Sequence, residues 1–107
     1  MIDFAGGLGG RSYDRVDNNC APERLIATAA EFARTSRVAS LWVYTENDSY
    51  FSPRLSGAMA AAWRAAGGKA DYVLLPRFGD DGHFMAETDG SESAWGPAVE
   101  RFLAGLR

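Results

Sequence analysis

Three short apolar stretches constrain this chain more than any other feature: "MIDFA" (Met1–Ala5), "VASLWVYT" (Val38–Thr45) and "ADYVLLP" (Ala70–Pro76). Each is a near-continuous apolar run, rich in β-branched and aromatic residues, rather than a clean alternation. Such runs are expected of strands covered on both faces, as in parallel sheets. Helical patterns separate them. In "CAPERLIATAAEFARTS" the residues Leu25, Ala29, Phe32 and Ala33 recur on one face, and Pro22 suits a first helical turn, where its missing N–H costs nothing. In "FSPRLSGAMAAAWRAAGG" Ser52 can cap, Pro53 can start the helix, and Leu55, Met59, Trp63 and Ala66 form the buried stripe. Gly67-Gly68 then ends that helix. A last helix, "SAWGPAVERFLAGLR", carries Trp95, Val99, Phe102, Leu103 and Leu106. The expected fold is α/β in the order β-α-β-α-β-α: a three-stranded parallel sheet with flanking helices and helical crossovers.

Composition bounds the partners. The 107 residues suit one domain, and 47% hydrophobic with 23% charged residues is ordinary for a globular protein. A net charge of -3, a pI near 5.0 and eleven scattered basic residues argue against a nucleic-acid backbone or an anionic membrane as partner. No apolar run approaches the roughly 20 residues that span a bilayer. Met1 leads directly into Ile2-Asp3-Phe4, without a basic leader or apolar signal core, so the chain reads as soluble with no signal peptide of its own. Cys20 is the single cysteine and His83 the single histidine. An intramolecular disulfide is excluded, and a metal site would need carboxylates for its remaining ligands, so no metal or other cofactor is expected.

The first strand begins at the first residue, and a sheet of three strands is small. Ile2–Ala5 would leave a hydrophobic edge open, a feature that native proteins usually guard. The chain therefore reads as the end of a larger sheet, and that edge reads as a place for self-association or for a partner chain.

In open α/β sheets, sites lie beyond the carboxyl ends of the strands. Three loops qualify: "GGLGGRS", "ENDSYFS" with Asp48, and "RFGDDGHF" with His83. Alone, Asp48 reads as a cap or turn residue and His83 as a solvated loop residue. On neighbouring parallel strands the two would meet, and a carboxylate beside an imidazole is the orienting half of a nucleophile–His–acid triad. Asp80 and Asp81 rival Asp48 for the acid role, but share a loop with His83 and read as loop-shaping or solvated. "GGLGG" is a poor phosphate loop: Ser12 stands where G-x-G-x-x-G needs its last glycine, and no lysine follows. Cys20, just before a helix, is weighed as a nucleophile against a structural role. Trp42, Trp63 and Trp95 fall on core stripes.

Together "DFAGG", "CAPERL", "LWVYTENDSYFSP", "GGKADYVLLPRFGDDGHF" and "WGPAVERFL" resemble the C-terminal part of α/β-hydrolases of the dienelactone hydrolase-like family, across nearly the whole chain. The resemblance implies that the three strands are the last three of that fold and that residues 1–107 form a C-terminal segment. It also implies that Asp48 is the catalytic acid, His83 the catalytic base and a small ester or lactone the substrate. The family's nucleophile sits in a G-x-S-x-G or G-x-C-x-G elbow before the matched region. Ser12, Ser56, Ser91 and Ser93 do not fit that pattern; at Ser56, Arg54 replaces the first glycine. The expectation is a chain holding Asp and His without nucleophile or oxyanion hole, inactive alone. The alternatives are a split hydrolase completed by an N-terminal partner chain, and a non-catalytic remnant dimerising through its first strand.

Overall fold

The computed structural model describes residues 1–8 and 10–107; Gly9, within the segment weighed as a phosphate loop, lies outside the described residues. The elements run β1 (Ile2–Phe4), α1 (Pro22–Ala33), β2 (Ser40–Thr45), α2 (Pro53–Ala65), β3 (Ala70–Leu75) and α3 (Glu92–Gly105). Short 3-10 turns add Ser12–Asp14 after β1 and Gly82–Glu87 after β3. The sheet is parallel in the order β1-β2-β3, with Asp3 beside Trp42 and Trp42 beside Tyr72. This is the expected α/β architecture.

Alternation along β2 divides the core in two. Trp42 and Tyr44 face α1 and α2, where they pack with Ala29, Leu55, Met59 and Trp63. Leu41 and Val43 face the other way, against Met85 and Phe102, with Phe4 and Trp95 at the margin. The rings of Trp42 and Trp63 meet edge to face at 5.3 Å, and Phe4 and Trp95 do the same at 5.3 Å. Each such aromatic pair contributes about 0.5–1.5 kcal/mol beyond area burial.

All six residues of the central strand β2 are buried. β1 and β3 are edge strands, partly exposed, with Asp71 and Leu74 of β3 at the surface. The apolar runs thus identify strands correctly but overstate the cover of the outer two. The helix caps follow the sequence signals. Pro22 and Pro53 open their helices, Ser52 Oγ accepts from Leu55 N at 3.2 Å, and Gly67 takes φ +99° just past α2.

Three apolar residues expected on buried stripes are exposed: Phe32 at 57%, Leu103 at 44% and Leu106 at 56%. Phe32 borders an open apolar cleft of about 200 Å³ between β1 and the α1–α2 layer, which Asp3, Leu8, Leu25, Trp42 and Trp63 also line. Periodicity identifies the apolar face of a helix; it does not say whether another element lies on it. Among the described residues, no helix is long and apolar enough to cross a membrane, and no cluster of three or more His, Cys, Asp or Glu side chains could hold a metal ion.

Candidate active site

Parallel strands bring the loops after β2 and β3 to one edge of the sheet, and Asn47 joins them. Its Nδ2 donates to Phe78 O and Gly79 O at 3.0 and 3.1 Å, while its Oδ1 accepts from Phe78 N at 2.9 Å. Gly82 N donates to Asn47 O at 3.3 Å. Gly82 is buried at this seam, and a Cβ there would overlap Thr45 Oγ1 and Asn47 Oδ1. Glycine is required by close approach, and the approach is what returns His83 to the β2 loop.

Asp48 lies one residue beyond Asn47, with its side chain fully buried. Its Oδ1 accepts from Tyr50 N at 2.8 Å and Phe51 N at 2.9 Å. That leaves Oδ2 directed at His83 Nδ1, 3.2 Å away. The two candidate residues, 35 positions apart in sequence, are therefore in contact. A carboxylate in this position favours the tautomer with hydrogen on Nδ1 and a lone pair on Nε2. The His83 side chain is 21% exposed, and its Nε2 has no hydrogen-bond partner among the described residues.

Asp81 is a brace between the two loops. Its Oδ1 accepts from Ser49 N at 3.1 Å and from His83 N at 3.0 Å, capping the Gly82–Glu87 turn, and its Oδ2 accepts from the Ser49 hydroxyl. Burial acts to raise its pKa. The Ser49 hydroxyl, the amides of His83 and Ser49 and the nearby imidazole outweigh burial and hold the carboxyl below its ordinary range. Asp80 is exposed. The loop-shaping reading thus holds for Asp81, by a hydrogen-bonded route that the sequence does not display.

The segment after β1 braces the same loop. Arg11 Nη1 donates to Ser49 Oγ at 3.1 Å, Asp17 N to Ser49 O at 2.7 Å, and Asn19 Nδ2 to Tyr50 O at 2.6 Å. The Tyr50 ring stacks on the His83 imidazole, with centroids 4.0 Å apart and planes 24° apart. Arg11, Asn19, Asn47, Ser49 and Tyr50 carry no motif that sequence reasoning could have used.

Of the hydroxyls and the thiol weighed as nucleophiles, Ser56 and Ser91 are engaged elsewhere and Ser93 and Cys20 face solvent. Ser56 is fully buried inside α2, bonded to Ser52 O at 3.0 Å and to the Tyr72 hydroxyl at 2.7 Å. Ser91 accepts from Trp95 Nε1 at 3.1 Å. Ser12 opens the turn after β1, Ser93 is exposed in α3, and Cys20 is exposed. As built, the site can orient an imidazole and accept a proton at Nε2 from a group brought to it.

No family model matches the chain, and no curated protein matches it. Among solved structures, the chain is similar to a crystal structure described as a "putative dienelactone hydrolase" from Klebsiella pneumoniae. The identity is 26% and the TM-score 0.53, covering 70% of this chain and 31% of that one. The chain accordingly has a hydrolase-like α/β fold, and it spans under a third of the length of that neighbour.

Proposed function

We propose that this chain supplies the acid and base of an α/β-hydrolase active site that cleaves a small carboxylic ester or lactone. The observation that carries the proposal is the fully buried Asp48 carboxylate, with one oxygen held by two amides and the other 3.2 Å from His83 Nδ1. In this reading Asp48 holds the imidazole in the tautomer with its lone pair on Nε2. His83 takes a proton from a Ser or Cys nucleophile as that nucleophile attacks the acyl carbon, then returns it to the leaving oxygen. The choice of ester or lactone rests on the name of the Klebsiella pneumoniae neighbour.

The nucleophile and oxyanion donors come from a segment outside these residues, so residues 1–107 act as the C-terminal part of the hydrolase. The edge of β1 is where that segment joins. Asp3 is the middle residue of β1, so antiparallel pairing with a second copy over the whole strand would set two Asp3 carboxylates opposite each other. A partner strand bearing a cationic or hydroxyl side chain at that point fits better than a second copy.

The test is turnover of p-nitrophenyl acetate by the pure chain, then by the chain mixed with the product of the coding sequence immediately upstream. The expected result is no turnover alone and turnover on mixing that His83→Ala abolishes. His83-dependent turnover by the pure chain would overturn the inactivity claim. Absence of association and of activity on mixing would overturn the hydrolase reading.

A further inference from the structure

A single hydrogen bond to Asp48 fixes one atom of the His83 ring and leaves the ring free to pivot about it. The remaining restraint is aromatic. Tyr50 covers one face at 4.0 Å, Phe84 meets the ring edge-on at 5.1 Å and 88°, and Phe51 lies tilted at 5.9 Å. Tyr50 carries a second load: the Arg11 guanidinium carbon sits 4.4 Å from its ring centre. Two groups that close to one ring centre cannot share a face, so Arg11 and His83 take opposite faces of Tyr50.

Each layer of this stack is tethered. Arg11 is anchored by the Ser49 hydroxyl and by Asp14. Tyr50 is fixed through its backbone, donating to Asp48 Oδ1 and accepting from Asn19 Nδ2. The cation is attracted to the electron-rich face of the phenol ring and so holds that ring in its plane from the side opposite the imidazole.

We infer that Arg11 and Tyr50 are positioning residues for His83: an Arg11–Tyr50–His83 stack that locks the imidazole plane, keeping Nδ1 on Asp48 and Nε2 turned outward. The importance of that lock for turnover rests on the proposed hydrolase role; the lock itself does not. Neither residue touches a reacting atom. Their effect runs through the orientation and tautomer of one ring.

Because His83 is the only histidine, the ring nitrogens of the ¹⁵N-labelled full chain report it without assignment ambiguity. At alkaline pH, the Nδ1–H tautomer should dominate. Tyr50→Leu should shift the two nitrogens toward an averaged tautomer mixture. It should also speed exchange of the Nδ1 proton roughly three- to tenfold, the equilibrium factor of one aromatic pair. Tyr50→Phe, which keeps the ring, should behave as the parent chain. Arg11→Met should fall between. The indole signals of Trp42 and Trp63, in the core facing α1 and α2, verify folding.

A folded Tyr50→Leu chain with unchanged tautomer and exchange would overturn the inference. If that variant does not fold, Arg11→Met decides: exchange at the parent rate overturns the lock, and faster exchange supports it. A lock that holds in a chain never activated by its upstream product would defeat the hydrolase reading while leaving the positioning role standing.

Discussion

Replacing Asp48 in two ways separates what its two oxygens do. Asp48→Ala removes the acceptor for Tyr50 N and Phe51 N, both facing a fully buried side chain. A buried donor left without a partner costs about 1–3 kcal/mol, so the pair amounts to about 2–6 kcal/mol. A domain of this size has only about 5–15 kcal/mol in total. With a mid-range urea slope of about 2 kcal/mol/M, the unfolding midpoint should fall by about 1–3 M. Asp48→Asn behaves differently. Its amide turns its oxygen to the two backbone N–H groups, since an NH₂ there would oppose donor to donor. The loss is then confined to the charge, about 1 kcal/mol. The NH₂ now faces His83 Nδ1, which must become an acceptor, so the ring proton moves to Nε2 and the lone pair there is lost. In a completed hydrolase, turnover should drop by about 10⁴, the cost of a wrong tautomer in such a triad. Urea unfolding of both variants and ¹⁵N spectra of the ring test this. An Asn variant as unstable as the Ala variant, or one that keeps its proton on Nδ1, would refute the division of labour.

Two further perturbations probe the scaffold. Gly82→Ala puts a methyl group onto Thr45 and Asn47 side-chain atoms at the seam between the loops. Overpacking of this kind costs about 1–3 kcal/mol, so calorimetry should show a melting point lower by about 5–20 °C, together with loss of the His83–Asp48 contact; an unchanged melting point would mean the two loops do not meet as described. Burial raises the pKa of Asp3, so the folded state binds its proton more tightly than the unfolded state does. The ionised carboxylate therefore destabilises the fold above that raised value, and the penalty is relieved as pH falls toward the ordinary 3.8. Asp3→Asn should be the more stable chain at neutral pH, and its advantage should shrink toward pH 4; urea midpoints at the two pH values give the comparison, and a constant difference would count against burial as the cause.

Much of the fold was legible because its signals are local. The prolines at 22 and 53, the Ser52 cap and the Gly67 stop are decided within one turn of chain, and each appears where the sequence places it. The apolar runs marked the strands, and strand adjacency brought Asp48 and His83 to one edge without any local motif linking them. What was illegible is relational. Nothing near Phe32 tells whether a neighbour covers it, and nothing near Ser49 announces that Asp81, 32 positions away, will accept from both its amide and its hydroxyl. Tyr50 reads as one more aromatic until its ring is found between a guanidinium and an imidazole.

The anchoring of Asp48 through main-chain amides has a consequence for how this loop can change over time. Any residue except proline offers an N–H at positions 50 and 51, so the acid's orientation places almost no demand on which side chains stand there. Proline at either position would remove one of the two donors that hold the carboxylate. The amides at 50 and 51 aim the carboxylate whatever side chain stands at 50, so that side chain can be selected for its stacking with Arg11 and His83. Drift at position 50 would then change the packing of the imidazole while leaving the Asp48 carboxylate held by the same two amides.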